Sequence, residues 1–411
     1  MFIPLLWFSL SLDLQPAPWR VAPPSIAHRA LAQTPMTSTP TPTAALERLF
    51  TAPAIQADWF APSFLQAVPL AQIEQILQDI RNNSGAYQSL QPFESGYRVQ
   101  FERGKVSAQI ALDENGRITG LLLQPQAEAI SPEQAIAQLS TFPGQTNLLI
   151  MEGDRTLANH NADQPLGVGS TFKLAILAAL REQINAGTHT WDEVIALQPQ
   201  DKSLPSGFLQ TWFDGALLTL QSLATLMISQ SDNTATDTLL RVVGRSAAEA
   251  QTPRNQPLLS TREFFQLKAP QNQGFLDRYR AGNPDQRRQV LAELAAQPLP
   301  DAASLFPEGK PYALDVEYWF TPHELCSLMA KVADLPLMSV NPGGGLVKPE
   351  QWTRVSFKGG SEPGVVNLTT WLESPQGKTY CVSATWNNPD TALDEARFFQ
   401  LYGNLIEGLP R

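Results

Sequence analysis

The sequence predicts an α+β chain of two domains: a small helix-plus-antiparallel-sheet domain, then a larger one in which an antiparallel sheet carries a helical lobe. Three observations lead there. At 411 residues the chain is longer than one hydrophobic core usually serves. Its apolar periodicity changes from helical to alternating ahead of residue 127, and helical and alternating stretches recur beyond it. Its composition, 43% hydrophobic and 17% charged, is that of a folded protein rather than a disordered one.

Residues 1–43 read as a tail. Phe2 to Leu12 is apolar but far shorter than the roughly eighteen residues a membrane-spanning helix needs, so no stable membrane span is expected. A Pro-rich stretch and then Ala30-Leu31-Ala32-Gln33 follow, with the small-x-small form of a signal-peptidase site, which points to export. No Lys or Arg precedes the apolar run, so a plain disordered tail is the alternative. Residues 34 to 43, rich in Thr and Pro, form a linker.

The first domain is assigned to residues 44–127. Leu65, Val68, Ile73, Ile76 and Leu77 fall at helical spacing in a run from Ala44 to Ile80. Tyr97, Val99 and Phe101 then alternate with polar residues. A second alternating run spans Val106 to Leu112, and Asp113-Glu114-Asn115-Gly116 turns the chain into Ile118 to Leu123. The second domain is assigned to residues 128–411. Ser131 caps a helix whose first position is Pro132. A strand at Asn147 to Met151, a long helical middle, strands at Val365 to Leu372 and Tyr380 to Trp386, and a final helix at Ala392 to Ile406 complete it. Strands at both ends with helices between imply one sheet assembled from distant segments.

The formal charge of -10, without a Lys/Arg-rich run, argues against nucleic acid as a partner. Cys326 and Cys381 make no C-x-x-C and read as buried small hydrophobes. The four histidines form no metal-binding pattern, and His323 reads as a surface residue early in a helix, so neither metal nor cofactor is expected. Trp212-Phe213 and Tyr318-Trp319-Phe320 read as core, although the first pair falls between two of the motifs below.

Three short motifs carry the chemistry. Ser170-Thr171-Phe172-Lys173 opens the apolar helix Leu174 to Leu180, and residues three apart near a helix start share a face. An amine there, its pKa lowered by the helix amino end, can take the serine proton. Ser231-Asp232-Asn233 follows the apolar helix Leu218 to Ile228. Lys358-Gly359-Gly360-Ser361 follows the strand Arg354 to Phe357; its glycines admit close approach, and its lysine can hold a carboxylate. Singly, each also reads as a helix cap, a turn or a surface hairpin. The ordered triple is much harder to explain by accident.

With these residues the chain resembles the penicillin-recognising serine enzymes, whose three motifs have this form and order. Ser-Thr-Phe-Lys, the step from Ser170 to Ser231, and Thr321-Pro322 opening a helix are similar to the class A serine β-lactamase branch. The resemblance runs from Ser131 to Arg411 and implies that the second domain is a β-lactamase-like domain. It implies Ser170 as acylated nucleophile, Lys173 as its proton acceptor and Ser231 as proton relay to the leaving group. Asn233 would contact the substrate amide, and Lys358 the substrate carboxylate while biasing the charge of Lys173. Gly360 and Ser361 would complete the substrate strand, the N–H groups of Ser170 and Ser361 forming the oxyanion hole.

Two departures qualify this. The class A Glu-x-x-Leu-Asn segment, whose Glu activates the deacylating water, does not occur between Glu249 and Glu350; Glu308 and Glu317 lack the Leu-Asn partner. The third motif is Lys-Gly-Gly rather than Lys-Thr-Gly, and extra length near Ser260 to Leu299 includes Ser260-x-x-Glu263, a capping box for an added helix. These features and the leading domain are similar to the two-domain members known from clavulanic-acid biosynthesis, which implies an isomerase-like, cystatin-like first domain. The resemblance implies a serine hydrolase opening β-lactams through an acyl-enzyme, with a small-molecule partner, a β-lactam or an ester bearing a carboxylate. A carboxylesterase with poor β-lactam turnover and a non-hydrolytic penicillin-binding module are the alternatives.

Overall fold

The computed structural model describes residues 40–93, 96–102, 104–126, 128–204, 206–306, 309–343 and 345–411. The apolar run Phe2 to Leu12, the Ala30-Leu31-Ala32 pattern and Glu308 lie outside the described residues. The chain divides into two compact units, with the boundary between Ala127 and Glu128.

The first unit holds helices α1 (Pro42–Thr51), α2 (Pro62–Ala67) and α3 (Leu70–Ser84) and strands β1 (Tyr87–Phe93), β2 (Gly96–Phe101), β3 (Lys105–Leu112) and β4 (Ile118–Gln126). The strands form one antiparallel sheet in the order β1-β2-β3-β4. The expected helical run is broken into three because Pro53, Pro62 and Pro69 remove backbone donors and bar the residue before each from helical geometry. β1 was not foreseen; a register irregularity between Tyr87 and Ser89 spoils its alternation. Leu46, Leu49, Phe50, Ile73 and Leu77 pack on Val99, Phe101, Val106 and Ile118 to make the core.

The second unit begins with α4 (Pro132–Leu139), where Ser131 and Gln134 close a capping box. Then come β5 (Gln145–Glu152), β6 (Arg155–His160), β7 (Leu166–Gly167), α5 (Lys173–Asn185), β8 (Val194–Ala196) and β9 (Leu217–Thr219). Helices α6 (Leu220–Ser229), α7 (Asn233–Val243), α8 (Arg245–Ala250), α9 (Thr261–Leu267), α10 (Gln273–Ala281), α11 (Pro284–Leu294) and α12 (Ala302–Leu305) follow. The unit closes with β10 (Trp319–Phe320), α13 (Pro322–Val332), β11 (Arg354–Glu362), β12 (Val365–Glu373), β13 (Thr379–Asn387) and α14 (Glu395–Glu407). The main sheet is antiparallel in the order β11-β12-β13-β5-β6, so β11 is an edge strand. Leu139, Phe398, Leu401, Tyr402 and Leu405 of α4 and α14 bury one of its faces. The helical lobe has its own core, built on the fully buried Leu174 to Leu180 stretch of α5 with Leu223, Met227, Leu239 and Met329.

Several expectations are corrected. Cys326 of α13 and Cys381 of β13 are buried but paired, in a disulfide with a Cα–Cα distance of 5.8 Å. A separation of 55 residues leaves no local trace of such a pair. Trp212 and Phe213 are 41% and 75% exposed rather than core. The Lys358 motif does not follow its strand but lies within it, since β11 runs on to Glu362. Thr321-Pro322 and Ser260…Glu263 do open helices, each with a complete capping box. Among the described residues no helix is long and apolar enough to cross a membrane.

Candidate active site

Ser170 sits on a 3₁₀ turn, Gly169–Phe172, that leads into α5. Gly169 has φ +50, and a Cβ there would stand 3.0 Å from the main-chain nitrogen of Ser361. Glycine is required on both counts. The turn is anchored from behind. Val168 N–H donates to Tyr318 O at 3.0 Å, the Phe172 and Tyr318 rings stack 3.6 Å apart, and Asn387 both accepts from Gly167 N and donates to Gly167 O. β11 presses on the other side of the turn. A Cβ on Gly360 would lie 2.3 Å from Ser170 N and 2.3 Å from Val168 O.

Lys173, the first residue of α5, is fully buried, and its Nζ donates to Ser231 O at 2.6 Å, Ser231 Oγ at 3.0 Å and Asn233 Oδ1 at 2.7 Å. Burial, and then the neighbouring charge of Lys358, hold its pKa well below the usual lysine range, with Asp232 and Asp237 opposing. A neutral amine has a lone pair, so a hydroxyl can donate to it in turn. No hydrogen bond joins Ser170 Oγ to Lys173 among the described residues; the bonded partners of Lys173 are Ser231 and Asn233.

Ser231 has φ +52, a left-handed conformation costing a non-glycine residue about 1–3 kcal/mol unless its surroundings impose it. They do so here. Asp232, fully buried, accepts from Phe208 N at 2.7 Å, Leu209 N at 2.9 Å and, as the cap of α7, Ala235 N at 2.8 Å. Asn233 N–H donates to Ser206 O, and its amide nitrogen donates to Leu204 O at 3.0 Å. Asn233 Nδ2 has a second N–H beyond the one given to Leu204 O.

Lys358 is 3% exposed, and its Nζ donates to Ser231 Oγ at 3.1 Å and to Gly359 O. Burial lowers its pKa to about 7. The Ser231 hydroxyl therefore lies between two buried amines. The expected residues Ser170, Lys173, Ser231, Asn233, Lys358, Gly360 and Ser361 all come from three chain segments packed on one another at this place. Asp232 and Asn387 hold the site and had no role assigned from sequence. Asp232 was visible inside its motif, whereas Asn387 has no local signal.

No carboxylate is hydrogen-bonded to Ser170, Lys173 or Ser231 among the described residues. Asp237 is directed elsewhere, accepting from Thr261 N, Thr261 Oγ1 and Arg262 N, and burial pushes it up to about 7. Thr261 Oγ1 also meets Asn233 O at 3.3 Å, so the segment before α9 borders the site. There Gln256-Pro257-Leu258-Leu259-Ser260 has the leucine of a Glu-x-x-Leu-Asn segment but an amide in place of the acid. An amide cannot act as a general base.

The family model described as the beta-lactamase enzyme family matches residues 131–406. Among solved structures, a β-lactamase from Sphaerobacter thermophilus DSM 20745 is 25% identical, with a TM-score of 0.46 over 68% of this chain and 95% of that one. A point mutant of PBP-A, as an acyl-enzyme complex with penicillin G, is 18% identical, with a TM-score of 0.42 over 67% and 94%. An ancestral class A β-lactamase is 18% identical, with a TM-score of 0.46 over 67% and 98%. No curated protein matches the chain.

Proposed function

The chain belongs to the β-lactamase enzyme family, and on that premise we propose that it is a serine hydrolase working through an acyl-enzyme on Ser170. The observation that supports this most directly is the Ser231 hydroxyl held 3.0 Å from Lys173 Nζ and 3.1 Å from Lys358 Nζ. Lys173, whose pKa burial lowers, accepts the Ser170 proton in its deprotonated form as Ser170 Oγ bonds to the substrate carbonyl carbon. The N–H groups of Ser170 and Ser361 stabilise the oxyanion, the term usually worth most in acyl transfer. The proton then passes through Ser231 to the departing nitrogen or oxygen. Lys358, with Gly360 and Ser361, holds the carboxylate of the substrate, and Asn233 its amide.

A second reading, an esterase with poor β-lactam turnover as in the two-domain relatives from clavulanic-acid biosynthesis, is favoured by one observation. No carboxylate is bonded to the Ser170–Lys173–Ser231 set among the described residues, so none of the described acids stands as a dedicated base for water attacking the acyl-enzyme. Esters make a smaller demand because an alcohol leaves more easily than an amide nitrogen. Turnover of a chromogenic cephalosporin and of a nitrophenyl ester, each followed by intact mass, separates the readings. Turnover of both gives a β-lactamase, turnover of the ester alone an esterase, and a lasting mass gain without turnover a penicillin-binding module.

We also propose that the protein is exported. The Cys326–Cys381 disulfide supports this, since such bonds persist in oxidising compartments. Alkylation of both thiols in protein taken directly from cells, without reductant, would overturn it.

A further inference from the structure

Behind the oxyanion strand lies a buried charged cluster that the mechanism above does not use. Glu362, the last residue of β11, directly follows Ser361, and its carboxylate accepts from Lys268 Nζ at 2.6 Å. Lys268, the C-cap of α9, has a side chain with no exposure; it stands 3.7 Å from Glu317 Oε1 and over the Phe264 ring at 4.2 Å. The Glu317 side chain is also unexposed, and its Oε2 accepts from Tyr318 N at 2.8 Å.

This leaves two carboxylates against one ammonium in an apolar setting. Asp315, the next acid along, is already paired with Arg280. The atoms left over are Glu317 Oε1 and Glu362 Oε2, both buried and neither with a donor. Two buried carboxylate oxygens without donors repel, and a proton between them removes the repulsion and the surplus charge together. Lys268 Nζ bridges the two carboxylates, 2.6 Å from Glu362 and 3.7 Å from Glu317, and burial, first among the causes and with Glu317 among the others, holds Glu362 well above the usual carboxylate range.

The cluster grips both halves of the candidate oxyanion hole. On one side Glu362 is covalently next to Ser361, whose nitrogen would be 3.0 Å from a Cβ on Gly169. On the other, Glu317 packs so closely on Gly167 that a Cβ there would meet its Cγ at 3.0 Å, and Tyr318 holds Val168 and Phe172. We propose that Glu317 and Glu362 share one proton, clamped by Lys268, and that this cluster is a positioning device holding Ser361 against Ser170 for acyl transfer. The proposal rests on the serine-hydrolase reading of Ser170. Among the described residues the charged group facing the pair is Lys268, and the buried Tyr318 hydroxyl, bonded to Ser260 O, lies within electrostatic reach of Glu317.

Two measurements test it. The first is infrared spectroscopy of the full chain carrying Ser170→Ala, which needs no activity: a protonated-carboxyl band at pH 7 that Glu362→Gln and Glu317→Gln each remove supports the shared proton. A spectrum unchanged by both substitutions overturns it. The second is the acylation rate constant and ground-state dissociation constant for a chromogenic cephalosporin or a nitrophenyl ester, followed from pH 6 to 10. Glu362→Ala should lower the acylation rate about 100-fold, as a misplacement on the order of 1 Å does, and leave the dissociation constant unchanged. Glu362→Gln, whose amide can donate to Glu317 in place of the shared proton, should restore the rate and abolish the alkaline loss seen when that proton leaves. A Gln variant as slow as the Ala variant, or one with an unaltered pH profile, overturns the positioning role. Should Glu362→Ala fail to fold, the Gln variants decide alone. If the unmodified chain forms no acyl-enzyme, the serine-hydrolase reading has failed, while the infrared result still judges the proton pair.

Discussion

Gly360 lies so close to Ser170 that a Cβ on the glycine would stand 2.3 Å from the serine main-chain nitrogen. The strand and the Ser170 turn are thus in backbone contact, which is how, on the proposed reading, Ser361 of an edge strand supplies an oxyanion donor to a residue 191 positions earlier. Gly360→Ala must move one or the other. Hydrolysis should fall about 100-fold or more while the circular dichroism spectrum keeps its native form. Unchanged rates would mean that this contact is not part of the working site.

Ser170→Ala should abolish hydrolysis of β-lactams and esters together, a loss on the order of a millionfold. Covalent labelling by a tagged penicillin, read by intact mass, should vanish with it. Label retained on another serine would remove Ser170 from its proposed role.

Lys358 titrates near 7, so its charge is present below that pH and lost above it. Binding of a carboxylate-bearing substrate should therefore weaken as pH rises through about 7, and that of a neutral ester should not. Stability has its own sign: the unfolded lysine holds its proton to a higher pH than the folded one, so Lys358 contributes a stability that increases from about pH 7 toward 10. Lys358→Ala should cost roughly 10- to 150-fold in kcat/KM for the charged substrate, the worth of a charge-assisted hydrogen bond. Equal losses for both substrates would instead make Lys358 a tuner of Lys173.

If no carboxylate replaces the missing glutamate, deacylation of a β-lactam adduct should be slow. Such assistance is typically worth 10²–10⁴-fold, so pre-steady-state kinetics should show a burst followed by a low steady rate. Fast turnover with no burst would mean that an acid outside the bonded set reaches the site.

Asp232→Ala should lower stability by about 3 kcal/mol, because it strips acceptors from the buried N–H groups of Leu209 and Ala235 as well as from Phe208. Activity should fall with it as Ser231 relaxes from its left-handed conformation. Urea unfolding with native kinetics alongside separates the two effects.

The helix starts were legible in the sequence. Ser131-Pro132, Ser260 with Glu263 and Thr321-Pro322 are satisfied within three residues, so local chemistry decides them. β1 was not legible, since its irregular register breaks the alternation that marks a strand. The exposure of Trp212 and Phe213 was misread because aromatic content alone says core, whereas only packing shows which aromatics find partners.

At the site the division is the same. Ser170, Lys173, Ser231 and Lys358 were nameable because Ser-x-x-Lys, Ser-Asp-Asn and Lys-Gly-Gly are short motifs in a telling order. Only the tertiary structure decided that Ser231 Oγ lies between two buried amines, that Cys326 meets Cys381, and that Lys268 reaches Glu362 across 94 residues. The physical reason is desolvation. A lysine pKa near 7 or a proton shared by two glutamates depends on water being excluded from every side, and that exclusion comes from segments far apart in the chain.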